Sequence, residues 1–288
     1  MVFKLYSDVK PFYQDVYDVL MRHEAQNLVP LGNVIMGNEG GDKAGWRDPV
    51  NWFMAAVSDG MGVRLTAVMT PPYHLTLYAT DNQFDGDVLA LLVEGIIGTG
   101  FSIHGVMTEN VLAEGFAKTY AAAKGIKHRI HKSQRIYELS RVNPNIPSVG
   151  ALRLAQESDM AFLPYWDAGF HTDCFGSAPP IQDHAGDSRL AISSGKLYIL
   201  EDRGTPVSMA KMSREMRTVC GVGNVYTPPY FRGRGYASSC VAAISRLILE
   251  RGFAKCVLYT DLANLISNGI YQRIGYKPVC DSLDIVFE

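Results

Sequence analysis

The chain has little charge imbalance, no long apolar run and few cysteines, and each shortage removes a class of function. Its 27 Lys and Arg stand against 29 Asp and Glu, a formal net charge of −2 over 288 residues. Polyanions and acidic membrane surfaces are held by clustered positive charge, and there is no basic patch beyond single arginines in loops, so neither partner is expected. The longest weakly charged apolar run, residues 87–101, carries Glu94, Gly95, Gly98 and Gly100 and falls short of the roughly 18 residues of a membrane span. Residues 1–10 alternate charged and apolar positions without the apolar stretch of a secretory leader. A soluble, cytoplasmic protein is the expectation. The five cysteines (Cys174, Cys220, Cys240, Cys256 and Cys280) are odd in number and mostly flanked by apolar residues, which reads as reduced packing cysteine rather than a disulfide framework.

What is present is an ordinary globular composition, 47% hydrophobic and 10% aromatic, enough to bury a large core in one big domain or two modest ones. Near the middle, Arg141-Val-Asn-Pro-Asn-Ile-Pro-Ser-Val-Gly150 breaks both helix and strand patterns, so the domains are expected at 1–145 and 146–288. In the first half the pattern predicts a helix over 11–27, a Gly-rich loop over 37–45, a hairpin of strands at 52–58 and 63–69 around Asp59-Gly60, helices over 85–97 and 109–124, and a strand over 128–140. The second half runs in similar order: a helix over 160–170, strands at 196–200, 206–213 and 217–226, a helix over 236–251, a strand at 256–260, a helix over 267–274 and a strand at 278–287. Val68-Met-Thr-Pro-Pro-Tyr73 and Val225-Tyr-Thr-Pro-Pro-Tyr230 each close a strand in the same relative place, which suggests an internal duplication.

The segment richest in chemistry is Asn224 to Ser239, a strand end followed by a Gly-rich loop that opens a helix. Glycines let successive N–H groups turn toward one point, and the first helical turn adds unpaired donors and partial positive charge, so the segment suits a pyrophosphate. A dinucleotide fingerprint starting at Gly233-x-Gly235, with Asp261 as the ribose-binding acid, fails on room. Only 27 residues follow Asp261, and six residues separate the strand from the first glycine where that fold turns tightly.

Arg232-Gly-Arg-Gly235-Tyr-Ala237 resembles the acyl-CoA signature of the GNAT (Gcn5-related N-acetyltransferase) superfamily, which is Arg or Gln, two residues, Gly, one residue, then Gly or Ala. Downstream, Asn264, Ser267, Tyr271 and Gly275-Tyr276 resemble its second signature, with Leu265 where many relatives have proline. The resemblance covers residues 149–288 by motif; over the first half it rests on element order and the Thr-Pro-Pro-Tyr echo. It implies an α/β protein of two tandem GNAT-like domains, each a mixed, mostly antiparallel sheet flanked by helices. The first is expected to be degenerate, because residues 73–79, at the place corresponding to the second half's loop, hold neither glycine nor arginine. The implied activity is transfer of an acyl group, in the first instance from acetyl-CoA, to a primary amine of a small molecule. A non-catalytic acyl-CoA-binding or regulatory module is the rival reading, and a homodimer is a candidate assembly.

The resemblance assigns the CoA pyrophosphate to backbone amides of Arg232, Gly233, Arg234, Gly235, Tyr236 and Ala237. It assigns the pantetheine arm to the strand ending in Val225 and Tyr226 and to Asn264 and Ser267, and protonation of the departing thiolate to Tyr271. The bland alternatives are a core aromatic for Tyr271 and helix capping for Asn264 and Ser267. The acceptor amine must lose a proton before it attacks, and no base stands out. Glu201, Asp202 and Glu215 read as solvated charges, and Cys220 as a packing residue rather than an acyl carrier. His171-Thr-Asp-Cys174 with His184 lacks paired metal-ligand spacing and reads as loop, so no metal is expected; His128 and His131 read as surface or edge residues of a strand.

Overall fold

The computed structural model describes residues 1–40 and 48–288, which form two units: Met1–Ile136 with Val279–Glu288, and Tyr137–Pro278. Of the expected Gly-rich loop over 37–45, residues 41–45 lie outside the described residues, and Gly37 belongs to a helix.

The first unit contains β1 (Val2–Leu5), α1 (Val9–Met21), α2 (Leu28–Asn38), β2 (Phe53–Asp59), β3 (Gly62–Met69), β4 (Leu75–Ala79), α3 (Gly86–Thr99), β5 (Gly105–Glu109), α4 (Asn110–Lys124) and most of β6 (His128–Leu139). The second contains β7 (Ala151–Leu154), α5 (Leu163–Phe175), α6 (Ile181–Ser193), β8 (Leu197–Asp202), β9 (Thr205–Glu215), β10 (Val219–Tyr226), α7 (Tyr236–Glu250), β11 (Lys255–Asp261) and α8 (Leu265–Ile274), before β12 (Lys277–Phe287). Both halves therefore run strand, two helices, three strands, helix, strand, helix, strand. This identical order is the firm trace of duplication. The Thr-Pro-Pro-Tyr echo is not: its first copy follows β3, the second strand of its meander, and its second copy follows β10, the third. The strand that displaces it, β4, covers residues expected to stand in for the phosphate loop.

Division of the chain at 145/146 is not the division of the packing, because the last strand leaves the second unit. From Val279 onward β12 belongs to the first, pairing antiparallel with β5 from Ser282–Glu109 to Val286–Gly105. Its Leu283 and Ile285 enter a core with Phe53, Leu65, Leu75, Leu92 and Phe116. The strand order is β1-β2-β3-β4-β5-β12-β6 in the first unit and β6-β11-β10-β9-β8-β7 in the second, where β6 is represented by Tyr137–Leu139. Neighbours are antiparallel in every ladder described except β4 with β5 and β10 with β11, which are parallel.

Period-two alternation gives the second unit two cores. Tyr198, Leu200, Ala210 and Met212 pack with the apolar stripe of α7 (Val241, Ile244, Ile248), whereas Leu197, Ile199 and Met209 pack with Leu163 and Trp166 of α5 and Ala191 of α6. A sheet covered on both faces needs a helical layer on each side, and α6 supplies half of one layer. Sequence periodicity had not picked out α6, nor α2, β1, β4, β5 and β7. The expected helix over 11–27 is α1 and the turn leading to α2; the expected helix over 160–170 is shifted to end at Phe175, where Gly176 takes up a left-handed conformation. Among the described residues no helix is long and apolar enough to cross a membrane.

Candidate functional site

Two strands that part company create the site. β10 and β11 are paired only from Val219–Lys255 to Gly221–Val257, although both continue, to Tyr226 and Asp261. On its other side β10 stays with β9, through a register shift between Gly223 and Tyr226 where Asn224 has φ +49°. A non-glycine residue with positive φ is costly and marks an irregularity held by its surroundings. Past Gly221 the β11-facing edge of β10 therefore presents backbone groups outside that ladder, suited to an extended, amide-bearing ligand arm. Val225 is half-buried and Tyr226 buried at this end.

The chain then turns through Thr227–Gly235 into α7. Gly233 and Gly235 have φ of +76° and +80°, and a Cβ built on either would meet nothing within 4 Å. Gly235 is the N-cap and offers no side chain to the first-turn N–H groups, so these donors and the positive end of the helix face open space. A pocket of about 500 Å³ opens there, lined by Arg234, Gly235, Ser238 and Ser239 with Arg273 from α8. Two arginines, an uncapped helix start and a glycine backbone open to close approach gather positive charge and unpaired N–H donors at this end of α7. Arg232 acts on the loop itself: its Nε donates to the Thr227 carbonyl at 2.9 Å, its guanidinium pairs with Asp173 and lies 5.7 Å from the Tyr226 ring centre. Tyr236 is buried with its hydroxyl donated to Asp202 at 2.7 Å, and Ala237 is half-buried beside it.

On α8, Asn264 is the N-cap; its side chain accepts from the Ser267 N–H at 3.0 Å, as the capping reading expects. Ser267 is half-buried. Asn268 fastens the helix, accepting from the Tyr137 hydroxyl at 3.0 Å and donating to the Asp261 and Asn264 carbonyls at 2.8 Å each. Tyr271 is 8% exposed within the core, its ring centre 5.9 Å from that of Tyr276. Burial pushes its hydroxyl well above the ordinary range, and the thiols of Cys174 and Cys240 act the same way. The group therefore remains an O–H donor across the physiological range.

The acids considered as bases are already engaged: Glu201 with Arg153 at 2.6 Å, Asp202 with Tyr236, Glu215 with Lys196 at 2.8 Å. Cys220 is fully buried and its thiol is pushed up to about 12, chiefly by burial, which leaves it protonated and unsuited to nucleophilic work. His128 and His131 are exposed on β6.

His171 to Cys174 form helix, not loop, and this changes the account of the histidines. On α5, Asp167 and His171 are spaced i, i+4; His184 of α6 lies with its Nδ1 2.6 Å from Asp167 Oδ2, and Asn224 Nδ2 donates to Asp167 Oδ1 at 3.2 Å. Asp167, absent from the expectations, joins three elements beside the open end of β10. The i, i+4 spacing was its only sequence signal.

Residues 203–283 match the family described as FR47-like protein. Comparison with curated proteins by sequence gives no match. Among solved structures, the chain is similar to an acetyltransferase from the GNAT family of Colwellia psychrerythraea (12% identity, TM-score 0.60, 100% of this chain and 99% of that one) and to a GCN5-related N-acetyltransferase from Sphaerobacter thermophilus (15%, 0.62, 99% and 95%). It is also similar to a tandem GNAT protein from the clavulanic acid biosynthesis pathway (11%, 0.59, 100% and 98%). At these identities the likeness is one of fold, and it extends over both units.

Proposed function

From the premise that this chain has the tandem GNAT fold, we propose that it is an acyl-CoA-dependent N-acyltransferase with one CoA site, in the second unit, moving an acetyl group from acetyl-CoA directly to a primary amine of a small molecule. The observation that carries the reading is the Gly233–Gly235 cradle at the uncapped start of α7, next to the parted β10 and β11. In this reading the N–H groups from Arg232 to Ala237 hold the pyrophosphate, and Arg234 and Arg273 add charge at the rim. The open edge of β10 near Val225 and Tyr226 pairs with the amides of the pantetheine arm, while Asn264 and Ser267 steady the same arm from the start of α8. The thioester carbonyl then lies along β10, where attack by a neutral amine forms the C–N bond and breaks the C–S bond. Tyr271 gives its proton to the thiolate; burial keeps that hydroxyl protonated, so the proton is there to give as the C–S bond breaks. The protein works in the cytoplasm on this account.

The test is acetyl-CoA itself. Acetyl-CoA should raise the unfolding temperature, with stabilisation of about 2.7 kcal/mol at a hundredfold excess over Kd, and free thiol should appear when amines are supplied. Stabilisation without thiol release from any amine would leave the acyl-CoA-binding module, and no stabilisation would dismiss the site.

A further inference from the structure

We propose that Asp167, His171 and His184 form the seat of the acceptor's ammonium group, so that the acceptor is a cationic primary amine and His171 takes the proton its nitrogen must lose. The inference rests on the acyltransferase reading above. One carboxylate oxygen and two imidazole nitrogens, one from each residue, lie within 4.8 Å of one another. The His171 Nε2 to Asp167 Oδ2 gap is 4.0 Å, too long for a direct hydrogen bond. It is also wide for two ligands of one tetrahedral zinc ion, whose bonds of about 2.1 Å set neighbouring ligand atoms about 3.4 Å apart. An ammonium nitrogen placing hydrogen bonds of about 2.9 Å in tetrahedral directions bridges acceptors about 4 to 5 Å apart.

The chemistry of the three groups agrees with the spacing. Asp167 is 14% exposed and its hydrogen-bond partners among the described residues are the His184 ring and the Asn224 amide, neither of which carries a fixed positive charge. A carboxylate so placed calls for a cation. His184 is 1% exposed; with its Nδ1 proton assigned to Asp167, its Nε2 is a lone pair without a partner among the described residues, one of few buried polar atoms there so left. His171, 33% exposed at its side chain, can exchange a proton with water. Asn224, at the irregularity of β10, ties the cluster to the strand that would carry the thioester.

The proton account closes. The ammonium gives one proton to His171 Nε2, which passes it to water, and the neutral nitrogen attacks the thioester carbonyl. As the C–S bond breaks the nitrogen's second proton restores Tyr271, which has protonated the thiolate. Ammonium and thioester become amide, thiol and one released proton.

Two measurements on the full chain test this. In the first, n-butylammonium is titrated against the histidine ring signals in NMR with CoA bound, which fills the donor site without turnover. The His171 and His184 signals should move with n-butylammonium, remain still with n-butanol, and lose the response in Asp167→Asn, while acetyl-CoA stabilises both proteins equally. Silent rings in a protein that acetyl-CoA stabilises, or zinc moving those rings where n-butylammonium does not, would overturn the ammonium seat. A chain that acetyl-CoA fails to stabilise would instead overturn the acyltransferase reading. In the second, His171→Gln, at a partly exposed position that should fold normally, should lower kcat/KM on the order of 10²-fold for amines that are charged in solution and much less for trifluoroethylamine, which is largely neutral. An equal loss for both classes, or none, would remove His171 as the proton acceptor.

Discussion

The helix starts at α3 and α7 occupy the same place in the element order of the two halves, and they differ in what fills them. In both halves a parallel pair parts after a few residues: β4 and β5 are joined at Leu75–Val106 and Thr76–Met107, β10 and β11 from Val219–Lys255 to Gly221–Val257. In the first half, however, the helix starts are closed by carboxylates. Asp85 accepts from the Val88 N–H at 2.9 Å with Asp87 in the first turn of α3, and Glu109 accepts from Val111 and Leu112 at the start of α4. In the second, Gly235 and Asn264 cap α7 and α8 without charge, and Arg234 and Arg273 stand nearby. A negative cap consumes the donors and the positive field that would hold a phosphate. The fold thus supplies the parted strands twice, whereas the loop chemistry supports an anion site once.

The most drastic way to break this asymmetry is Gly235→Val. A side chain there fills the open cradle and must adopt φ +80°, which costs about 1–2 kcal/mol of folding stability, while its Cβ meets no protein atom within 4 Å. Calorimetry should find acetyl-CoA binding abolished in a folded protein; retained affinity would mean that the loop is not the seat.

Tyr271→Phe sharpens the comparison at the chemical step. The ring keeps its packing and only the donor is lost, so the acetyl-CoA affinity should hold while kcat falls on the order of 10²-fold, part of it recovered at high pH where thiolate leaves unaided. A mutant equal to the wild type in rate at all pH values would return Tyr271 to the core-aromatic role.

A smaller effect separates the halves by pH. Cys220, Cys240 and Cys256 of the second unit are held at about 12, against an ordinary 9.0, chiefly by burial, whereas the first unit has Cys280 alone in that state. The folded thiols keep protons that the unfolded chain releases above pH about 9, so stability is full below that value and declines as pH rises toward about 12. Urea unfolding at about pH 8, 9.5 and 10.5 should show midpoints that drop in order, and a flat series would contradict the burial of these thiols.

The smallest change is expected in the first half. Asp85→Ala removes a cap and should cost about 1 kcal/mol in urea unfolding, yet create no second acetyl-CoA site, because the loop before α3 lacks glycines equivalent to Gly233 and Gly235. Two molecules bound per chain in calorimetry would refute the view that backbone geometry, and not the cap alone, distinguishes the halves.

The sequence by itself determined whatever is contiguous. The loop from Arg232 to Ala237, the amphipathic α7 and the Asn264-to-Tyr276 segment were legible because glycine conformation, helix start and apolar stripe are properties of neighbours along the chain. Tertiary structure alone decided which unit received β12, since strand pairing is chosen by the edge that is open and not by the strand's own letters. It also decided that β4, five buried residues too short to show a period, occupies the stretch read as the counterpart of the second half's loop. The Asp167 cluster belongs to this second kind. Its carboxylate, two imidazoles and amide come from α5, α6 and β10, up to 57 residues apart, and they meet only because alternation along β8 and β9 buries one sheet face under those two helices.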